Sequence, residues 1–310
     1  MTEAVVSTPG SSEDVLLRRR RTFAGDVWVQ FKSHRGGMVG AVVFLLILLL
    51  VIFGPSIHGI DPQALAPRDK NQGISLAHPM GTDNLGRDLF AQVLAGGRMS
   101  LSVGIVAMLI SLGLGSFIGA LAGFFRRLDG PLMRLADLFL ALPLLPLLLV
   151  VIMLFRDTLR ASFGPEVGIF LLIVAIMGVT SWMQTARIVR GAVLSVKEQE
   201  FVLAARSIGT REWRILLRHV LPNVLSPIMV SATLGIATAI ITESALSFLG
   251  LGFPSDFPTW GRLLYDGVNF MQINPSRVIW PGLAISLTVL SINYIGDALR
   301  DAFDPRIRGR

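Results

Sequence analysis

Six stretches of this chain carry no Asp, Glu, Lys or Arg over a length that can cross a bilayer, and nothing else in the sequence constrains the fold as strongly. They run near residues 38–57, 99–125, 138–155, 167–186, 220–242 and 278–296. A hydrocarbon core of about 30 Å needs about 20 apolar helical residues, and lipid forces every backbone polar group to find its partner inside the helix. The expected fold is an all-α integral membrane protein with six transmembrane helices. The third stretch is the weakest, because Asp137 abuts it and Pro143 and Pro146 interrupt it. Backbone freed by proline is tolerated in a membrane only beside protein or a cavity, so this helix is expected to face a neighbour or a path. Hydrophobic residues at 52% against 16% charged exclude disorder over most of the chain and an ordinary water-soluble domain.

The first apolar run exceeds the roughly 7–15 residues of a signal-peptide core, and no A-x-A cleavage site follows in Gly54-Pro55-Ser56; it reads as a retained anchor. Ahead of it lies a Ser/Thr/Pro/Glu-rich tail ending in the basic block Arg18–Arg21, suited to anionic headgroups. With the N-terminus placed in the cytoplasm, 20 Lys and Arg fall on the inside and 8 on the outside. The positive-inside rule then puts both termini in the cytoplasm, and the formal charge of +7 becomes a topology signal rather than a nucleic-acid patch. The chain divides into a tail (1–35), a first helix (36–57), an extracytoplasmic segment (58–98), a five-helix core (99–296) with a long cytoplasmic connection (187–219), and a C-terminal tail (297–310).

That connection reads as helical almost throughout. Gly209-Thr210 breaks it, Thr210 is placed to cap the next helix and Glu212 lies in its first turn. Trp213, Leu216, Leu217 and Val220 follow at i, i+3, i+4 and i+7 as one apolar stripe, with Arg211, Arg214 and Arg218 on another face and Pro222 ending the element. Such a helix either rests on lipid headgroups or docks in the groove of a soluble partner. In the second span Ser111, Gly115, Gly119 and Gly123 line one face, and Ser231, Gly235 and Ala239 repeat the spacing in the fifth. Small residues at that period permit close helix contact, within this chain or with a second subunit.

Catalytic hardware is missing. There are no cysteines, 4 histidines and 2 tyrosines, and no P-loop, H-E-x-x-H or G-x-S-x-G string. Gly113-Leu114-Gly115 lies inside an apolar span and is no dinucleotide fingerprint. Asp137, Glu166, Glu243 and Asp297 sit at span ends and read as boundary residues; Asn293 reads as a buried amide in the sixth helix. Ion-driven carriers build their paths from intramembrane ionisable groups, so a path without them implies an external power source. No catalytic residue, metal site or cofactor is expected in this chain.

Several strings then become recognisable. Ala204-Ala205-Arg206-Ser207-Ile208-Gly209, closed by Leu221-Pro222, resembles the EAA loop of bacterial ABC importer permeases, with Leu203 where that motif has glutamate and His219 where isoleucine is usual. The segment from His78 to Asp88 resembles the G-T-D-x-x-G-R-D signature of the C-type permease of oligopeptide/dipeptide importers. Glu243 to Gly252, the string Pro258-Thr259-Trp260-Gly261, and the ending Gly296-Asp297-Ala298-Leu299-Arg300-Asp301 through Asp304-Pro305-Arg306 are similar to that subfamily too.

The resemblance implies the ABC importer type I permease bundle in a bacterial cytoplasmic membrane. Its implied partners are a B-type permease in a heterodimer, two ATPase subunits or one fused pair holding ATP and Mg, and an extracytoplasmic peptide-binding protein. It implies an ATPase-coupling element containing Ala204, Ala205, Gly209, Arg211, Trp213, Arg214, Leu217, Leu221 and Pro222. Path candidates are Pro143, Pro146 and Asn293, and binding-protein contacts are Asp83, Arg87, Asp88, Glu243 and Trp260. A related permease for nickel, opines or glutathione stays open as an alternative. A stand-alone carrier or channel predicts interrupted helices in both halves, whereas one Pro-broken span is present. An intramembrane enzyme lacks a paired nucleophile and base.

Overall fold

The computed structural model describes residues 23–254 and 257–303; the basic block Arg18–Arg21 and the closing Asp304-Pro305-Arg306 lie outside the described residues. Those described form helices and connections, with one isolated bridge between Thr82 and Asp88 and no named strand. In chain order the helices are α1 (Phe23–Ser33), α2 (Arg35–His58), α3 (Leu89–Phe124), α4 (Arg126–Ala141), α5 (Leu144–Phe163), α6 (Pro165–Lys197), α7 (Glu200–Ser207), α8 (Glu212–Ile215), α9 (Leu225–Phe248), α10 (Trp260–Val268) and α11 (Ser276–Phe303). Among the described residues five spans are long and apolar enough to cross a membrane: α2, α3, α6, the run 212–248 and α11. The pair α4–α5, bent by 84°, makes a sixth if counted as one.

The centre of the bundle is α3 against α6, and the small-residue stripe explains it. A Cβ added at Gly115 would stand 2.7 Å from the carbonyl oxygen of Trp182, at Gly119 2.5 Å from that of Ala186, and at Gly123 2.8 Å from that of Arg190. Only glycine lets the two backbones approach this closely along three turns. The stripe packs within this chain. Lys197 then donates from Nζ to the Gly123 carbonyl at 3.0 Å, one of the carbonyls left open at a helix end.

α9 lies against α3, where a Cβ at Gly104 would meet Ile240 at 2.7 Å. α2 rests on α11 through Gly37 and Gly40, the latter with its absent Cβ 2.7 Å from the Ser291 carbonyl oxygen. Pro55 has no N–H to give the Val51 carbonyl within α2; Arg98 donates to that oxygen from Nε at 2.9 Å instead, and to the Ile52 carbonyl from Nη2 at 2.6 Å. The outer face of α2 stays bare, with Leu45, Leu46, Leu50 and Phe53 all more than half exposed, as lipid-facing or subunit-facing residues would be.

Three expected boundaries shift. α3 starts at Leu89, ten residues before the apolar run, because Asp88 caps it: the Asp88 carboxylate accepts from Ala91 N at 2.6 Å. A helix lies within the expected N-terminal tail, and α11 continues to Phe303 past residue 296. The third span is two helices. Leu142 is extended (φ −75°, ψ 136°), as the residue before a proline must be, and the chain restarts as α5 with Pro143 at its N-cap. Pro146 falls in the first turn of α5, where a missing N–H forfeits no intrahelical bond, so it does not bend the helix.

Candidate functional site

Helices α7 and α8 and the turn after them form a compact element at one end of the bundle. Val202, Ala205, Ile215, Leu216, Val220 and Val224 are buried in one cluster with Val189 and Val193 of α6 and Ala120 and Phe124 of α3. The element is therefore anchored to the two central spans. Its opposite side is bare: Phe201 is 44% exposed, Leu203 44%, Ile208 82%, Trp213 54% and Leu217 58%. Between the two arms Gly209 has φ +78°, a left-handed turn that favours glycine. Arg206 of the first arm pairs with Glu212 of the second at 3.2 Å.

Several expectations about this element are corrected. Thr210 does not cap α8; Arg211 holds the N-cap position and makes no side-chain cap bond. The anchoring face is Ile215, Leu216 and Val220, while Trp213 and Leu217 stay exposed. The phase shifts because residues 216–220 form a π-turn, with Leu221 N donating to the Leu216 carbonyl. Pro222 has no N–H, and its ring would press on the carbonyl four residues back; widening the turn relieves that, and Asn223 Nδ2 donates to the exposed His219 carbonyl at 2.6 Å. Ala205 faces inward, and Ala204, Arg211, Arg214 and Pro222 face out, with Leu221 half-buried.

Beside the bend of α4–α5 lies a cavity of about 330 Å³ walled by α3, α6 and α9. Leu142, Leu144 and Leu147 line it from the bend, Ser111 from α3, and Thr180, Gln184 and Thr185 from α6; no charged side chain is among its lining residues. Ser231, Gly235 and Ala239, the small stripe of α9, form the facing wall. Thr185 and Ser231 hydroxyls share a hydrogen bond of 3.0 Å across it. Pro143 and Pro146 shape this wall without lining it. Asn293 is exposed on α11, not buried as expected, and is not among the lining residues.

The opposite end, residues 59–88, 249–254 and 257–275, is built on buried polar groups. Asp83 accepts from Leu85 N (2.8 Å), Arg87 N (2.9 Å), Arg87 Nε (2.6 Å) and Gln92 Nε2 (3.3 Å). Asp88 accepts from Ala91 N and faces both His58 Nε2 (3.1 Å) and His78 Nδ1 (2.7 Å). Gly86 has φ +81°, and a Cβ there would stand 1.8 Å from the Ala66 carbonyl oxygen. Glu243 is no boundary residue. Its carboxylate is 0% exposed and accepts from Ser100 Oγ at 3.0 Å and Ser247 Oγ at 2.7 Å. Trp260, 1% exposed, donates its backbone N–H to Ser100 Oγ at 3.2 Å and its indole N–H to the Val93 carbonyl at 2.9 Å. Four of the five residues expected at a binding-protein contact, Asp83, Asp88, Glu243 and Trp260, thus turn their side chains inward and hold a surface instead of forming it; Arg87 is 16% exposed. Sequence reasoning missed Ser100, the partner of Glu243 and Trp260, and Asn274, which donates to the Thr82 carbonyl at 3.1 Å, because nothing in a serine's or asparagine's local sequence marks a contact more than a hundred residues away; Gln92 and Ser247, nine and four residues from Asp83 and Glu243, were missed as well.

Residues 111–309 match the family of binding-protein-dependent transport system inner membrane components, and residues 22–78 match the N-terminal transmembrane domain of oligopeptide transport permease C. The chain is 36% identical over 310 residues to the oligopeptide transport system permease protein OppC of Bacillus subtilis, covering 99% of this chain and 97% of that one. It is 38% identical over 284 residues to the dipeptide transport system permease protein DppC of Alkalihalophilus pseudofirmus (91% and 90% covered). It is also 38% identical over 291 residues to the glutathione transport system permease protein GsiD of Shigella sonnei (93% and 92% covered). A solved chain of the MetNI methionine ABC transporter in an inward-facing conformation superposes with a TM-score of 0.54 at 18% identity, covering 67% of this chain and 95% of that one; it shares the fold. With a matched family region over more than half its length and relatives aligned nearly end to end, the chain belongs to the multi-pass inner membrane permeases of binding-protein-dependent ABC transport systems.

Proposed function

We propose that this chain is one membrane half of an ATP-driven importer of short peptides, paired with a B-type permease, powered by two ATPase subunits or a fused pair that hold ATP and Mg, and supplied by an extracytoplasmic peptide-binding protein. The observation that carries this reading is the exposed apolar tip of residues 201–217 on an element anchored to both central spans. A bare Ile208 beside Leu203, Trp213 and Leu217 is surface awaiting a partner. The buried contacts of Ile215 and Val220 transmit a push on that surface into α3 and α6. The asymmetry of 20 against 8 basic residues supports placing this end, with both termini, in the cytoplasm. Residues 59–88 and 249–275 then lie outside, where the platform held by Asp83, Asp88, Glu243 and Trp260 meets the binding protein.

The cavity beside the α4–α5 bend serves as part of the path. Its neutral lining of hydroxyls and apolar groups suits solutes of varied charge held weakly, with specificity set by the binding protein. ATP-driven closure of the ATPases rocks one packed state of the bundle into another. Relatives named for oligopeptide, dipeptide and glutathione transport support a peptide substrate, glutathione itself being a tripeptide.

Ile208→Asp tests the coupling surface. It is a cleaner change than any at Gly209, whose positive φ strains every other residue, or at Ala205, which is buried. Expected is loss of ATPase co-purification and at least a tenfold fall in peptide uptake with membrane insertion intact. Undiminished uptake would show that the tip is not where energy enters.

A further inference from the structure

At the end carrying residues 59–88, a second cavity of about 480 Å³ is lined by Leu65, Leu85, Arg87, Asp266, Phe270 and Arg277, with Asn84 and Asn269 also among its lining residues. Its ionised groups do not balance within it. Arg87 spends its charge on Asp83, Nε to Oδ2 at 2.6 Å. Asp266 is held by Arg262, with Nη2–Oδ1 at 3.1 Å and Nε–Oδ2 at 3.2 Å. Arg277 is left over. It is 4% exposed, its guanidinium lies 4.2 Å from the centroid of the Phe270 ring, and its Nη2 reaches only the backbone carbonyl of Asp266 at 3.4 Å. Its Nη1 has no hydrogen-bond partner, and among the described residues no carboxylate lies at ion-pair distance from it; Asp83 and Asp266 act on it only through space. A buried cation left unpaired costs several kcal/mol, so a fold that retains one gains where an anion arrives.

The surroundings specify that anion. Arg277 is the second residue of the 28-residue helix α11, whose N-terminal end adds positive potential. A planar guanidinium whose buried Nη1 still lacks a partner suits the flat fork of a carboxylate. A cation with no carboxylate in contact calls for one negative charge, and Leu65, Leu85 and Phe270 supply an apolar wall for whatever bears it. We propose that this cavity is a carboxylate subsite centred on Arg277, with the amides of Asn84 and Asn269 as further donors. Only its placement outside the membrane rests on the transport reading; the site itself does not require that Ile208 couples to an ATPase.

The carboxylate can come from the free C-terminus of a peptide or from an acidic side chain of the docking protein, and one experiment separates them. The permease in its assembled complex in nanodiscs is titrated with sodium acetate, with N-acetyl-dialanine, with the C-terminal amide of that dipeptide, and with sodium chloride at equal ionic strength, following the thermal unfolding midpoint. Acetate and the free-acid dipeptide are expected to raise the midpoint by about 2 °C or more near saturation, and the amide and chloride are not. Arg277→Met removes the response. Asn269→Asp, which supplies an internal carboxylate and keeps the arginine, raises the starting midpoint and blunts the response, so the test survives a poorly folding Arg277→Met. A dipeptide effect stronger than that of acetate assigns the site to a peptide terminus. An acetate effect without a dipeptide effect, joined to a tenfold weaker association of the binding protein with Arg277→Met, assigns it to a side chain of that protein. Equal responses of wild type and both variants, or no response to any carboxylate, overturn the proposal.

Discussion

The two ends of the bundle are held together by opposite physics. Residues 59–88, 249–254 and 257–275 are pinned by buried carboxylates, Asp83, Asp88 and Glu243, each with two or more hydrogen-bond partners, and by the indole of Trp260. The buried side of the α7 and α8 element is an apolar cluster, and its one ion pair among the described residues, Arg206–Glu212, is about half exposed. A network of directed hydrogen bonds is satisfied in one geometry and resists deformation. An apolar interface tolerates sliding and rotation, so it fits an element that must move with a partner. On the proposed reading, the polar end is a clamp and the apolar end a lever.

Breaking the clamp gives the largest effect. Gly86→Ala places a methyl 1.8 Å from the Ala66 carbonyl oxygen at a residue whose φ is +81°, so a backbone, not the end of a flexible side chain, would have to shift. A loss of about 3 kcal/mol or more is expected from strain plus overpacking, read as a lower unfolding midpoint and proteolysis within residues 59–88. Wild-type stability in this variant would mean that the clamp is soft. Asp88→Ala comes next. It removes the α3 cap and strands His58 and His78, and about 2 kcal/mol should go. Asp88→Asn keeps a capping oxygen and should lose less than half as much. Equal losses would deny the cap its part.

How far the sequence alone reaches follows the same divide. Long apolar runs report a hydrocarbon slab, so the spans were legible, as was the bend at Pro143, because proline acts on its own neighbours. The glycines of α3 announced close packing, though not that α6 was the partner. The polar clamp was not legible. Glu243 sits at the end of an apolar run and reads as a residue reaching water; what buries it is Ser100, far away in sequence, together with the approach of Trp260 over Gly97, whose absent Cβ would stand 2.9 Å from the indole. Of the stripe over residues 213–220, Leu216 and Val220 are buried and Trp213 and Leu217 are not, because a helical period assumes α geometry and Pro222 converts residues 216–220 to a π-turn. Local rules found the elements, and long-range polar pairing escaped them.

At the lever the same kinds of substitution should separate stability from function. Ile208→Asp replaces a side chain that is 82% exposed, so the unfolding midpoint of the permease should stay within the scatter of surface changes, about 0.5 kcal/mol. Uptake should nonetheless fall tenfold or more. A large stability loss instead would mean that Ile208 packs against its own chain, and the contrast between the two ends would disappear.

The smallest effect is expected where the lever has its one ion pair. Arg206 and Glu212 span the Gly209 turn at 3.2 Å with 45% and 49% of their side chains exposed. Exposed pairs are screened by water and salt and are worth about 0–1 kcal/mol. A double-mutant cycle with Arg206→Ala and Glu212→Ala should therefore return a coupling below about 0.5 kcal/mol in the isolated permease, shrinking further at high salt. The two arms would then be free to change their angle about Gly209 once a partner grips Ile208. A coupling above about 2 kcal/mol would make the pair a second clamp, and the energy of a docking partner would be spent in breaking it before any motion reached α3 and α6.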